Sequence, residues 1–191
     1  MARRKLGAGD SVTRAKIIGA AEAIMREKGY AFVTSRRVGA QAELNAPLVH
    51  YYFRTMDDLF LALFREVATR MEQKHTACME SDKPLSCLWS MLSDPAELVI
   101  FNEFMALAHH SKIIQEEIVA LGNRMRARQT KLLNEIFERK GIVHEYWSPM
   151  VIGIIANAAA RTITFEHAMG LTAGNNEMVA AVKKYIQMLE D

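Results

Sequence analysis

Apolar residues recur along this chain with the period of an α-helix, and short polar segments separate one run from the next. Between residues 11 and 29 they stand at positions 17, 18, 21, 24 and 25, which is the spacing of a single buried helix face. Comparable runs continue to the C terminus, and no segment has the sustained alternation of a half-buried strand. The pattern therefore predicts an all-α protein of about nine helices.

Capping residues and prolines mark the expected beginnings of these helices. Polar residues that accept hydrogen bonds from exposed amides precede most runs, and proline suits the first helical turn. The predicted starts are Asp10 or Ser11, Thr34 or Ser35, Asn45, Thr55, Lys83-Pro84, Asp94-Pro95, Ser111, Ser148-Pro149 and Asn175. Gly29 is expected to end the first helix, with Tyr30 and Phe32 adding to the core behind it. The segment around Gly7-Ala8-Gly9 is expected to be a flexible tail.

Charge is distributed unevenly along the sequence. Residues 1–55 carry ten Lys and Arg against four Asp and Glu, a net charge of +6, although the formal net charge of the whole chain is only +2. The remainder is therefore acidic, at −4. A basic end joined to an acidic body suggests a module that binds a polyanion. We divide the chain accordingly into a head, residues 1–55, and a body, residues 56–191.

Several other classes of protein are disfavoured. No run of about 18 apolar residues predicts a membrane span, and no apolar segment follows the basic start, so no secretion signal is expected. The two cysteines, Cys78 and Cys87, are expected to be buried thiols in a reducing cytoplasm. His75 with Cys78, and His109-His110, lack the spacing of a structural zinc site. No catalytic motif is present, so neither an enzyme nor a cofactor is expected.

The segment from Thr34 to Phe53 predicts two short helices joined by a tight turn, which is the architecture of a helix-turn-helix. In such a unit the first helix braces on phosphates while the second enters the major groove of DNA. Candidate contacts offer donors to phosphates and base edges, and apolar groups to thymine methyls. They are Thr34, Ser35, Arg36, Arg37, Asn45, Ala46, Leu48, His50, Tyr51 and Tyr52, with Arg3, Arg4 and Lys5 as a mobile arm. The alternative is a set of small core helices with a solvated basic face.

An ordered string of residues resembles the DNA-binding head of the tetracycline-repressor (TetR) family. The string is Ile17-Ile18-x-Ala20-Ala21, Gly29-Tyr30, Thr34-Ser35, Val38 and Tyr52-Phe53, followed by Asp58-Leu59. It covers about residues 11–60. The resemblance implies an all-helical head, a body with a ligand pocket among its middle helices, and dimerisation through the last two long helices.

Three positions depart from the pattern of that family. Glu43 stands in the turn where glycine is usual, which predicts an altered or mildly strained turn. His50 stands where tyrosine is usual, three residues before Phe53. Met56 replaces a lysine at the start of the fourth helix, so one expected phosphate contact is missing, and Tyr51 or Arg54 is a possible compensation.

The middle helices supply a candidate ligand pocket, whose existence as a set rests on the resemblance. Methionine, aromatic and histidine side chains suit an adaptable apolar site for a hydrophobic or aromatic molecule. The candidates are Trp89, Phe101, Phe104, Met105, His109 and Met125. Ordinary core packing is the competing explanation for each of them.

The last two helices supply a candidate dimer interface. The helix that begins at Pro149 is apolar nearly all round, so it is expected to be buried on more than one side. Its small residues permit close approach to a symmetry-related helix, although burial within one subunit is the alternative. The candidates are Ile152, Ala156, Ala159, Ile163, Val182, Tyr185 and Leu189.

Together these features predict a cytoplasmic DNA-binding regulator, a repressor that holds a palindromic operator as a homodimer and responds to a small molecule. The expected partners are double-stranded operator DNA, the small-molecule effector and a second copy of the chain, with no membrane. A helical enzyme or small-molecule carrier without DNA preference is the rival from another class. A non-specific architectural DNA binder is a second rival, which the large acidic body argues against.

Overall fold

The structure, a computed structural model, describes residues 8–143 and 146–191, with side chains from Asp10 onward. These residues form nine α-helices and one short 3-10 helix, and no strand occurs among them. The helices are α1 (Ala8–Lys28), α2 (Ser35–Gln41), α3 (Ala46–Tyr52), α4 (Met56–Met79), α5 (Pro84–Leu92), α6 (Pro95–Ala108), α7 (Lys112–Lys140), α8 (Pro149–Ala168) and α9 (Asn175–Glu190), and the 3-10 helix is Tyr30–Phe32. The predicted all-α fold of about nine helices is confirmed.

The predicted start of the first helix at Asp10 or Ser11 is wrong, because α1 already begins at Ala8. Four other predicted capping residues act as expected. Thr34, Asn45 and Ser148 each accept a hydrogen bond from a backbone N–H in the first turn of α2, α3 and α8. Thr55 and Asp58 cap α4 reciprocally, since each side chain accepts from the other residue's backbone N–H. These bonds satisfy amides that a helix start leaves without an internal partner.

The chain divides into two compact units. The first contains residues 1–68 and 100–116, and the second contains residues 69–99 and 117–191. In the first unit, the apolar face of α1 is buried, with Ile17 and Ile18 fully excluded from solvent. Phe64 and Phe104 pack edge to face in the same unit, with ring centroids 5.0 Å apart. This core supports the short helices α2 and α3.

Two expectations about the first unit are wrong. Phe32 is 44% exposed, because the 3-10 helix turns it outward, where the Arg37 guanidinium lies 4.8 Å from its ring centroid. Tyr30 is only half-buried, and its backbone N–H donates to the Glu103 carboxylate at 2.6 Å. A flexible tail is also not found at Ala8 and Gly9, since α1 already begins at Ala8. The arm residues Arg3, Arg4 and Lys5 lie outside the described residues.

The second unit has its own core, in which α5, α7, α8 and α9 pack together. Its buried residues are Leu85, Trp89, Leu133, Ile136, Phe137, Ala160, Ile186 and Leu189. The Glu190 carboxylate at the end of α9 accepts hydrogen bonds from the backbone N–H groups of Leu85 and Ser86, at 2.7 and 3.0 Å. Because those amides begin α5, the carboxylate complements the positive end of that helix and holds it against α9.

The predicted buried thiols are wrong, because Cys78 and Cys87 form a disulfide. The bond joins the last turn of α4 to α5 within the second unit. Sequence reasoning missed it because two cysteines nine residues apart suggest no disulfide framework in a chain of this length. The end of α4 and the start of α5 bring the Cα atoms of Cys78 and Cys87 to 5.2 Å, a distance that a disulfide requires.

No helix in the described part of the chain combines the length and the apolar character needed to span a bilayer.

The turn between α2 and α3 has the predicted strain. Glu43 has a φ of 54°, in the left-handed region that side chains other than glycine rarely adopt. Its carboxylate pairs with the Lys16 ammonium at 3.1 Å, but both side chains are exposed, so the pair contributes little. The strain therefore remains as a cost to the folded state.

We expect Glu43→Gly to stabilise the protein by about 0.5–1 kcal/mol, because glycine adopts this conformation without steric cost. Denaturant unfolding measures the change. Lys16→Ala serves as the control, since it removes the ion pair and keeps the backbone strain. If Glu43→Gly proves no more stable than Lys16→Ala, the strain at position 43 is not a significant cost.

Candidate nucleic-acid interface and ligand cavity

Helices α2 and α3 form a tight helix-turn-helix in the first unit. Val38 in α2 and Val49 in α3 are buried at 0% and 1% exposure, and they anchor one face of each helix in the core. At the centre lies Gly39, where an added Cβ would stand 3.0 Å from the backbone oxygen of Leu44 and 3.2 Å from the backbone nitrogen of Ala46. A larger residue at position 39 would therefore require the turn and the start of α3 to shift by a few tenths of an ångström.

The outer face of α3 is available to a partner. Tyr51 is 61% exposed and His50 is also exposed, whereas Ala46 and Leu48 are half-buried. The rings of Tyr51 and Tyr52 meet edge to face at 5.2 Å. The structure thus brings His50 and Tyr51 together on the solvent side of a helix whose opposite side is fixed by Val49. A short helix held in this way can enter a DNA major groove.

Three of the candidate DNA-binding residues also have structural partners. The Tyr52 hydroxyl donates to the Asp10 carboxylate at 3.0 Å, and partial burial together with this hydrogen bond raises the pKa of Tyr52. The Asn45 side chain accepts from the Leu48 N–H, and the Thr34 hydroxyl accepts from the Arg37 N–H. These side chains hold the unit in shape, and their contact with DNA stays a prediction.

The basic residues of α2 lie on its exposed side. Arg36 and Arg37 are exposed, and Ser35 is half-buried at the start of the helix. Arg37 is held in place by its stacking on Phe32, which limits its rotamers. A guanidinium presented beside a helix N terminus is a common donor to phosphate oxygens.

The second unit contains an apolar cavity of about 410 Å³. It lies among α5, α7, α8 and α9, and its lining includes Leu88, Trp89, Leu92, Trp147, Ile152, Ala156 and Tyr185. Burial raises the pKa of Tyr185, as expected for a phenol beside an apolar space. The volume falls in the range of sites for small molecules.

A polar group lies at one end of this cavity. The buried Gln129 accepts a hydrogen bond from the Asn157 side-chain amide at 2.9 Å, and Asn157 also donates to the Gly153 carbonyl at 2.8 Å. An added Cβ at Gly153 would stand 3.4 Å from Leu133 and 3.7 Å from Gln129, so glycine keeps this corner open. Sequence reasoning missed Gln129 and Asn157, because one amide on each of two helices has no recognisable spacing.

The candidate pocket residues fall in both units. Trp89 lines the 410 Å³ cavity, and it also lines a larger, more polar cleft of about 830 Å³ beside α5, α8 and α9. Met125 is half-buried in the second unit. In the first unit, Phe104 is buried against Phe64, while Met105 and His109 are exposed and Phe101 is half-buried. A single pocket made by all six stays a prediction.

The candidate dimer residues pack chiefly within their own unit. Ile152, Ala159, Ile163, Val182 and Tyr185 are partly buried against the core cluster, Leu189 is 1% exposed, and Ala156 lines the cavity. A different set of apolar side chains on α8 and α9 faces solvent. Its members, each at least 38% exposed, are Met150, Val151, Ile154, Ile155, Phe165, Met178 and Met188 on the helices and Met169 directly after α8. Ile155 also lines the cavity. We refer to these eight residues as the α8–α9 apolar face.

A metal site is not assembled in the part of the chain that the structure describes. No group of three or more His, Cys, Asp or Glu side chains comes together there. His75 is 3% exposed and its pKa is lowered, first by burial and then by the charge of Arg128. Cys78, one turn further along α4, is committed to its disulfide.

The capped, glycine-centred pair α2 and α3, with an exposed face on α3, defines a helix-turn-helix protein. The comparisons agree with this class. The model of bacterial regulatory proteins of the tetR family matches residues 17–63. Residues 17–63 are therefore similar to the DNA-binding domain of the TetR family of transcriptional regulators.

Individual relatives match over most of this chain. The HTH-type transcriptional regulator CymR of Pseudomonas putida is 23% identical over 141 residues, which are 73% of this chain and 66% of that protein. A TetR transcription regulator of Haloarcula marismortui has the same fold, with a TM-score of 0.73, 17% identity and coverage of 95% and 97% of the two chains. A Saccharomonospora viridis protein in complex with choline has a TM-score of 0.79, 14% identity and coverage of 93% and 96%.

Proposed function

We propose that this protein is a repressor that binds a palindromic operator as a homodimer and changes its affinity when a small molecule occupies the body. The observation that carries the proposal is the exposed face of α3, on which His50 and Tyr51 stand clear of the core that holds Val49. The excess of positive charge in residues 1–55 supports DNA as the partner, because phosphate contacts supply most of the non-specific affinity.

A dimer is supported by the α8–α9 apolar face. Eight exposed apolar side chains on α8, on α9 and directly after α8 favour burial against another surface. A second copy of the chain presents the same side chains, so a two-fold axis pairs the α8–α9 apolar face with itself. Such a dimer carries two α3 helices, and operator half-sites one helical turn apart match a two-fold arrangement.

The effector site that we propose is the 410 Å³ cavity. Its lining is mostly apolar, with Trp89 and Tyr185 as flat surfaces, which fits a small hydrophobic or aromatic molecule. The Gln129–Asn157 pair offers one polar contact that orients such a ligand. The choline complex of the Saccharomonospora viridis protein is consistent with small-molecule binding on this fold. A ligand acts by binding one conformer of the protein more tightly than the other. Its effect on operator binding cannot exceed the difference between these two affinities.

We expect Tyr51→Ala to weaken binding to the operator about tenfold or more, because the substitution removes an exposed side chain of the reading helix. Fluorescence anisotropy with DNA from upstream of the protein's own gene measures the affinity at several salt concentrations. The matched control is Tyr146→Ala, which removes a tyrosine that is 80% exposed in the second unit.

Two results would contradict this proposal. Equal losses in Tyr51→Ala and Tyr146→Ala would remove Tyr51 from the contact surface. Wild-type protein that binds the upstream DNA no better than a shuffled sequence of the same length would exclude sequence-specific recognition there, since phosphate contacts alone do not discriminate.

A further inference from the structure

The Cys78–Cys87 disulfide ties α5 to the end of α4. Cys78 is 5% exposed and Cys87, in the second turn of α5, is half-buried. The intervening residues 80–83 contain no helix, so the bond closes a short loop between the two helices. Besides this covalent tie, the first turn of α5 is held by the Glu190 carboxylate and by the burial of Leu85 in the core of the second unit.

Helix α5 is also a wall shared by both spaces of the second unit. Leu85, Leu88, Trp89 and Leu92 line the apolar cavity, and Ser86, Ser90 and Ser93 line the larger cleft beside Trp89. Cys87 lies two residues before Trp89, which borders both spaces. Any shift of α5 therefore changes the shape of the cavity in which we place the effector.

We propose that Cys78–Cys87 is a thiol–disulfide exchange site, at which a thiol reductant releases α5 from α4 and exposes the cavity-lining Trp89 to water. Cys87 is the more exposed of the two half-cystines, so it is the half that an attacking thiolate reaches. No residue of this site belongs to the proposed DNA-binding face. The role of the cavity as the effector site rests on the proposed function, whereas the exchange itself does not.

The exchange balances with two equivalents of a thiol. A thiolate attacks Cys87 Sγ, a mixed disulfide forms, and the electron pair of the broken bond leaves on Cys78 Sγ, which takes up a proton. A second thiolate attacks the sulfur of the reductant in the mixed disulfide, which releases Cys87 as a thiolate that is then protonated. The protein is reduced by two electrons and two protons, and the reductant leaves as its disulfide.

The surroundings of Cys78 suit a released thiol. His75 precedes it by three residues, and side chains at that spacing are neighbours on a helix. The Nδ1 atom of the buried His75 has no hydrogen-bond partner in the described structure. After reduction, a protonated Cys78 thiol offers a hydrogen-bond donor on this side of α4, and His75 Nδ1 offers an acceptor.

The experiment uses the full chain with Trp147→Phe, because Trp89 is then the sole tryptophan. Free thiols are counted by alkylation and mass spectrometry, before and after dithiothreitol. We expect none before and two after, with emission from Trp89 moving to longer wavelength and the melting temperature falling by about 5–10 °C. Cys78→Ala with Cys87→Ser, in the same background, is expected to show the reduced-state values and no response to dithiothreitol.

Each other outcome overturns the proposal. Two free thiols that persist after treatment with oxidised glutathione would mean that no disulfide forms. Unchanged Trp89 emission on reduction of the Trp147→Phe protein would mean that the bond does not control the cavity. The same response in the double variant would place the action of dithiothreitol elsewhere. Failure of operator binding in both redox states, with the thiol and Trp89 results as expected, would instead count against the proposed function alone.

Discussion

A protein carrying Gly39→Ala is expected to lose operator binding and about 2–3 kcal/mol of stability in the first unit. The added methyl group would meet three backbone atoms of the turn and α3, at 3.0 Å from the Leu44 oxygen and 3.2 Å from Asn45 C and Ala46 N. Backbone atoms cannot rotate away as a flexible side chain can. The methyl group would therefore push α3 away from α2, which displaces the face that carries His50 and Tyr51.

The matched control is Gly19→Ala, which introduces the same methyl group in α1 of the same unit. Nothing lies within 4 Å of the added Cβ there. Alanine favours the helix over glycine, so this variant is expected to gain up to about 1 kcal/mol and keep its affinity for DNA. Denaturant unfolding and anisotropy titration test both variants. Wild-type affinity in Gly39→Ala would show that the turn tolerates the displacement and that α3 is not held by this contact.

Placing a charge on the α8–α9 apolar face is expected to produce monomers. Phe165 is 53% exposed within one chain and would be buried in the proposed dimer. Phe165→Glu would then bury an unpaired carboxylate at each of two symmetric positions, a cost that a dimer cannot readily offset. In a dimer, binding of one DNA-binding unit raises the effective concentration of the second at the operator. A monomer lacks this gain, so its operator affinity should fall about 100-fold or more.

Sedimentation velocity gives the oligomeric state of Phe165→Glu, and anisotropy gives its affinity for DNA. Val119→Glu is the control, since Val119 is 55% exposed on α7 of the same unit and lies outside the α8–α9 apolar face. If the Phe165→Glu variant stays dimeric, the dimer interface lies elsewhere. If the Val119→Glu control dissociates to the same extent, the loss of dimer is not specific to the α8–α9 apolar face.

Local signals were sufficient to predict the helices and the DNA-binding unit. The caps at Thr34, Asn45, Thr55 and Ser148 depend on residues a few positions away, so the sequence alone indicates where these four helices begin. Even the strain at Glu43 followed from a single missing glycine. The short-range part of the fold was therefore accessible from one sequence.

The cavity and the exposed apolar faces in residues 56–191 could not be predicted as well, because they depend on contacts between distant parts of the chain. Tyr185 and Ile152 have the periodicity of an interface, but the same periodicity places them against the core of their own unit. The exposed Phe165 and Ile154 lie on the other side of α8, and a helix that is apolar nearly all round gives no preference between the two sides. Phe32 was misplaced because its short 3-10 helix has no periodic signal.

The way α3 is anchored has a consequence for how such a regulator can diverge. The position of α3 in the first unit depends on the buried Val49 and on the Asn45 cap, whereas His50 and Tyr51 are exposed to solvent. Exposed substitutions of that kind usually change stability by about 0.5 kcal/mol or less. After gene duplication, a copy could acquire a new operator preference through positions 50 and 51 without first accumulating compensatory mutations. Positions 39 and 49 have no such freedom, so change in this reading head would be concentrated on one side of a single seven-residue helix.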